Sequence, residues 1–418
     1  MNVARTLALG LGLSSAAALA ACGHTPPDVR HPAPQIVLDR QEAVAAWNGV
    51  QDVFERRCVV CHGCYDAPCQ LKLDTLAGVE RGGTDKKVYD PTRLIAAEPT
   101  RLGVDAHGRA AWREKGFHPV VAEGEKADLR ASLLLRMLEL KRKHPLDASM
   151  DIAKDFTLEI DRKQSCTKAE KFDDFAKDHP KWGMPYALPA VTEQEQAALT
   201  TWVRAGAPHP PAEVADAAEQ RAIDSWEKLF ADDSPKGVLS ARYIYEHLFL
   251  ASLRFETGSG LYRLVRSRTA PGQAVDEIPT RRPFDDPGPG RVFYRFVRRE
   301  GRPLEKTHMP YLLTDAKQAH WRKMFLDASY DVRAQPGYDR QVSANPFRAF
   351  EALPSEARYR FMLDEAEYTI MGFIKGPVCR GQVALNVIED RFWVTFVKPD
   401  VSWSAKQTAH LSTLKGLL

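Results

Sequence analysis

The sequence predicts a mainly α fold in two parts, and three observations carry that expectation. Helical periodicity recurs along the chain, from Val44, Trp47, Val50 and Phe54 on one face to a long run from Glu356 to Phe373. A C-x-x-C-H run at Cys58–His62 is answered far downstream by Gly183-Met184-Pro185-Tyr186, which leads into another helical pattern. A proline cluster, Pro208-His209-Pro210-Pro211, then marks a change of pattern and a domain boundary. The expected architecture is therefore a cytochrome c-like helical domain with a long insertion over residues 40–210. An α-rich domain with short strands follows over residues 211–418.

The 418 residues, 44% hydrophobic and 27% charged, suffice for two or three packed domains and exclude wholesale disorder. A net charge of +3 makes no case for nucleic acid as a partner. At the start, Arg5 precedes an apolar and small stretch from Leu7 to Ala21, the layout of a secretory signal over residues 1–21 and too short to span a membrane. It ends Leu19-Ala20-Ala21-Cys22, resembling the cleavage box of bacterial lipoproteins, so Cys22 is the expected lipidation site. The proline-rich run that follows makes residues 22–39 a tether. Export to the periplasm, anchored to the outer membrane, places every cysteine where disulfides persist.

C-x-x-C-H is the attachment signature of c-type haem. Two thiols separated by two residues can add to the two vinyl groups of one porphyrin, while the adjacent histidine is held beneath the iron. Cys58 and Cys61 are thus the expected thioether residues and His62 the iron ligand. Zinc is the alternative, because Cys64 and Cys69 lie close by. Met184 is the expected sixth ligand, a thioether in a loop that resembles the one closing a cytochrome c haem site. A helix follows it, opened by a Thr192/Glu195 capping box, striped by Ala198, Leu199, Trp202 and Val203, and stopped at Gly206. His62 and Met184 are far apart in sequence, so residues from about Pro91 to Lys181 are expected to include an insertion, within which Ala131 to Lys141 reads as a helix. Met137 and Met309 are read as packing residues. Four cysteines remain, Cys64, Cys69, Cys166 and Cys379, and allow three connectivities: Cys64 with Cys69, or each separately with Cys166 and Cys379.

In the second region, Ser225 to Phe230, Ala241 to Phe255, Ala316 to Leu326 and Glu356 to Phe373 read as helices. Residues 291–297 and 392–397 read as strands. Between Arg254 and Arg302 stand 11 arginines and six acids, a stretch that suits either phospholipid head groups or internally paired surface. Gly258-Ser259-Gly260 lacks the third glycine of a dinucleotide motif, and no G-x-S-x-G elbow is present. His107, His247 and His320 read as structural.

Four stretches give the chain a resemblance to the bacterial fatty acid cis/trans isomerase family. They are R-C-V-V-C-H-G-C-Y-D-A-P-C-Q-L-K-L from Arg57 to Leu73, R-F-E-T-G-S-G-L-Y-R-L-V-R-S-R from Arg254 to Arg268, K-T-H-M-P-Y from Lys306 to Tyr311, and G-P-V-C-R-G-Q from Gly376 to Gln382. The resemblance runs from about Leu38 to Pro399. It implies conversion of cis to trans double bonds in membrane phospholipid acyl chains in the periplasm, as a response to solvent or heat stress, with one covalent haem c and no nicotinamide or flavin. It also implies dependence on the cytochrome c maturation machinery, with His62 as the catalytic iron ligand. Family members typically continue further, so the stretch after Asp400 is expected to be a shortened or divergent end. The rival readings are a periplasmic electron carrier, a haem peroxidase and a noncatalytic haem lipoprotein.

Overall fold

The computed structural model describes residues 38–88, 98–123, 129–147, 152–158, 164–208, 210, 213–374, 409 and 413. The signal, Cys22 and most of the tether, Cys379, the G-P-V-C-R-G-Q stretch and the expected strand at 392–397 lie outside the described residues.

The first region is built from α1 (Arg40–Arg57), α2 (Val59–His62), α3 (Leu76–Arg81), α4 (Gly108–Glu114), α5 (Leu133–Lys143), α6 (Ile152–Asp155), α7 (Phe172–Asp178) and α8 (Glu193–Arg204). Asp39 and Glu42 cap α1 reciprocally, as Thr192 and Glu195 cap α8. The apolar stripe of α1 meets that of α8. Trp202, wholly buried, lies 5.7 Å from Trp47 and 6.2 Å edge-on to Phe54. Leu133, Leu134, Met137, Leu138 and Leu140 of α5, with Phe172 and Phe175 of α7, complete the same core.

That core corrects the expected cytochrome c-like domain with an appended insertion. Helices α5 and α7 fall within the stretch expected to include an insertion, yet they supply a large share of the interior around α1 and α8. The described residues between 40 and 210 therefore pack as a larger helical arrangement in which α5 and α7 are core.

The second region corrects the mainly α expectation more strongly, because a mixed four-stranded sheet lies at its centre. Its elements are α9 (Ala217–Phe230), α10 (Pro235–Leu248), β1 (Ser252–Phe255), β2 (Tyr262–Ser267), β3 (Phe293–Arg298), β4 (Pro310–Leu313), α11 (Asp315–Phe325), α12 (Arg340–Ser343), α13 (Pro346–Ala349) and α14 (Ser355–Ile374). Strand order is β3-β2-β1-β4, with β1–β2 and β2–β3 antiparallel and β1–β4 parallel. The expected helix from Ala241 to Phe255 is in fact α10 followed, after a short turn, by β1. Four-residue strands are too short to show a period of two, and no glycine or proline separates α10 from β1. Phe255, Tyr262, Phe296, Trp226 and Trp321 join the helices to the sheet in one aromatic core.

Truncation at the α1–α8 crossing, Trp202→Ala, should destabilise the protein by about 3–5 kcal/mol, the range for a buried aromatic. A denaturant titration of the variant would show this as a lower midpoint, and an unchanged midpoint would mean that the two helices are held otherwise.

Candidate functional site

Helix α1 ends at Arg57, and Cys58 is the joint between α1 and α2: its N–H donates to the Phe54 carbonyl, and the N–H groups of Cys61 and His62 return to the Cys58 carbonyl. The joint is clamped from α8. Arg57 Nε donates to both carboxylate oxygens of Glu195, at 3.0 and 3.1 Å. The capping glutamate of α8 therefore also holds the residue before the motif.

Cys58 and Cys61 are not disulfide-bonded, although two cysteines at this spacing could pair. Cys58 is half-buried, and burial, with Cys61 nearby, pushes its thiol up to about 12. Cys61 is exposed. His62 is buried, and its Nδ1 lies 3.0 Å from the Leu71 carbonyl. A carbonyl can only accept, so Nδ1 carries the proton and Nε2 the lone pair, the tautomer that suits a metal ligand. The Leu73 N–H closes the turn by donating to the His62 carbonyl at 2.8 Å.

Met184 enters from the loop before α8, with its N–H donating to the Met137 carbonyl of α5 at 3.0 Å. Met184 and Cys58 pack against the same α1–α5–α8 core. Val60, inside the motif, and Leu188, just beyond Met184, are exposed apolar side chains. Cys69 pairs with Cys166, so the Cys64–Cys69 connectivity is excluded. Cys64 is disulfide-bonded as well, and its partner lies outside the described residues.

The second region reaches this site through the connection between β3 and β4. Arg302 pairs with Asp52 of α1 at 2.5 Å and stands 3.7 Å from Glu55. Thr307 is buried against the motif: a Cβ on Gly63 would lie 2.9 Å from its methyl carbon, so only glycine permits the approach. Sequence reading missed this cover, because nothing in the spacing of residues 299–309 points to residues 58–63. The only signal was that Lys306–Tyr311 stood out by resemblance.

Of the 11 arginines in the arginine-rich stretch, six are exposed, and Arg263, Arg266, Arg295, Arg298 and Arg299 are buried or half-buried. Arg295 pairs with Glu227 at 2.5 Å, Arg263 with Glu277, Arg282 with Asp285, and Arg298 with Glu213 and Glu219. Arg266 donates to Thr280 and to the Asp285 carbonyl. The internally paired reading thus holds for these residues. His247 bonds its own helix at Tyr243, and His320 is exposed beside Asp364, so neither joins the site. His107 is exposed at the start of α4.

Residues 97–418 match the family model for fatty acid cis/trans isomerase. The chain belongs to the fatty acid cis/trans isomerase family. It is accordingly an isomerase, and the matched range contains the whole second region, Met184 and the cover over the motif. The range continues to Leu418, so the stretch after Asp400 falls inside the family pattern. Cys58, Cys61 and His62 precede the matched residues. No curated protein and no solved structure shows a match.

Two outcomes test the site's scaffold. Burial tends to raise the pKa of Glu195, but Arg57 and the Thr192 bonds hold it below the usual carboxylate range. A depressed carboxylate stabilises the fold above that range and loses the contribution as pH falls through it. Arg57→Met should flatten the acid limb of a stability-against-pH curve. Gly63→Val should displace Thr307 and increase proteolytic cutting at residues 299–309, with α1–α8 stability changed little.

Proposed function

We propose that this isomerase carries one haem c, joined to Cys58 and Cys61, with His62 and Met184 as its iron ligands. Its substrates are cis-unsaturated acyl chains of membrane phospholipids, met from the periplasmic side by a chain anchored at Cys22. The observation that carries the reading is the composition of the motif: two cysteines that are not in disulfides, on one helical turn, beside a histidine whose Nδ1 proton is committed to Leu71. Zinc is disfavoured, since Cys64 and Cys69 are both in disulfides and no metal-ligand cluster occurs among the described residues.

Rotation about a double bond requires its π bond order to fall. When bound, haem supplies a one-electron acceptor and donor for the alkene, with no net redox change across the cycle. The chain's own residues do the rest. Leu71 fixes the His62 ring, Arg57 and Glu195 fix the backbone that bears the thiols, and the α1–α5–α8 core supplies a dry wall. The exposed Val60 and Leu188 provide apolar surface by which an acyl chain can approach. No helix among the described residues is long and apolar enough to cross a membrane, so on this reading the lipid anchor at Cys22 holds the enzyme at the membrane.

The test incubates haem-loaded mature protein with cis-unsaturated phospholipid vesicles, without added reductant, and assays the acyl chains for trans product. Trans product is expected, falling to background in His62→Ala. Met184→Ala should keep the covalent haem while losing the methionine-to-iron absorption band. Undiminished isomerisation by a haem-free His62→Ala protein would overturn the proposal.

A further inference from the structure

A cavity of about 530 Å³ adjoins the segment that orients the motif: Gln70 lines it, and the next residue, Leu71, accepts from the His62 ring. That volume suits a small molecule rather than a single ion or water. Its buried lining is neutral and hydrogen-bonded within itself. The Thr100 hydroxyl donates to Gln70 Oε1 at 2.7 Å, and the Thr100 N–H donates to the Tyr65 hydroxyl at 2.9 Å. Tyr65 in turn gives its own proton to the Thr100 hydroxyl oxygen, 3.1 Å away. Wholly buried Arg81 donates to the carbonyls of Thr100, at 2.9 Å, and Gln70. Gln70 has left-handed backbone, φ 50°, which a residue other than glycine keeps only where its surroundings hold it. Gln70 Nε2 then donates to the Lys86 carbonyl at 2.8 Å and so ties the cationic part of the lining to this network.

Five cations, Lys86, Lys87, Arg101, Lys115 and Arg281, and one carboxylate, Glu98, line the cavity. Arg101 is paired with Asp105 at 2.8 Å, and Lys115 with Glu98. Lys86 Nζ donates to the Lys115 carbonyl at 2.7 Å, which uses one of the three donors of an ammonium and leaves its charge to be met. No carboxylate among the described residues forms an ion pair with Lys86 or Arg281. These two come from distant parts of the chain, one after α3 and the other in the connection between β2 and β3, and both are exposed, so the cavity is open to solvent. Apolar lining among the described residues is confined to Val88, Pro99 and the Tyr65 ring, too little to hold an acyl chain.

We propose that this cavity binds the phosphate-bearing headgroup of a phospholipid, with Lys86 and Arg281 on the phosphate oxygens. A phosphodiester keeps its charge at every physiological pH and offers two oxygens to two cations, and the headgroup around it fills a space that a lone anion would leave wet. The proposal rests on phospholipids as the substrate and adds the part of the molecule by which they are held. A headgroup seated here lies beside the segment that fixes His62.

The experiment titrates the mature chain by calorimetry with glycerophosphoglycerol, a headgroup without acyl chains, so that neither the lipid anchor nor the apolar surface at Val60 and Leu188 contributes. Inorganic phosphate and hexanoate are titrated in parallel. Wild type should bind glycerophosphoglycerol more tightly than either. Lys86→Gln and Arg281→Gln should each weaken it about tenfold, the loss of one charge-assisted hydrogen bond, and Arg281→Lys should recover part. Both side chains are exposed, so the thermal midpoint should stay unchanged. Arg268→Gln, in an exposed arginine outside the cavity lining, should leave binding unaltered. No binding by wild type, or an equal loss in Arg268→Gln, overturns the site. Inorganic phosphate bound as tightly overturns the headgroup assignment, and hexanoate bound as tightly overturns the choice of phosphate. Cation-dependent headgroup binding without isomerisation of vesicle lipids would remove the function proposed above and leave the cavity standing, whereas isomerisation without headgroup binding would remove the cavity alone.

Discussion

Placement of the motif depends on the grip of α8 on the end of α1. Cys58 is not inside a long helix but at a joint, and a joint has no direction of its own. Two contacts give it one: the wholly buried Trp202 wedged among α1 aromatics, and the two-oxygen pairing of Arg57 with Glu195. The glutamate serves two purposes, since its backbone and side chain also complete the cap of α8. Start of one helix and end of another are thereby registered to within a hydrogen bond, and the thiols and His62 follow from that register.

The second region acts on the same place from outside. The connection from β3 to β4 carries these contacts, through Arg302 on α1, Gly301 on Asp74 and Thr307 on Gly63. This arrangement gives the region a role that electron transfer alone would not require. Three of the arginines serve the region's own packing: Arg295 and Arg298 hold helix α9 to the sheet, and Arg263 holds the loop that carries Glu277.

Legibility in the sequence followed the range of the interactions involved. Capping boxes, the helix after Met184 and the long final helix are set by residues three or four apart, and the structure places them close to expectation. The sheet was missed because β1 and β4 have four residues each and owe their strand form to partners nearly sixty residues away. The supposed insertion was misjudged for a related reason: loop length says how far apart two motifs lie in sequence, not whether the residues between them are core.

By itself the sequence determined the chemistry available: two thiols and an imidazole at fixed spacing, a methionine loop ahead of a capped helix, and the stretches that mark the isomerase family. Such features are local, and local spacing survives in a linear string. Only the tertiary structure decided which carbonyl orients His62, that Cys69 joins Cys166, that α5 is core, and that a loop some 240 residues downstream covers the motif. Each of these is a meeting of surfaces buried on folding, and its free energy belongs to the assembled core rather than to any one segment.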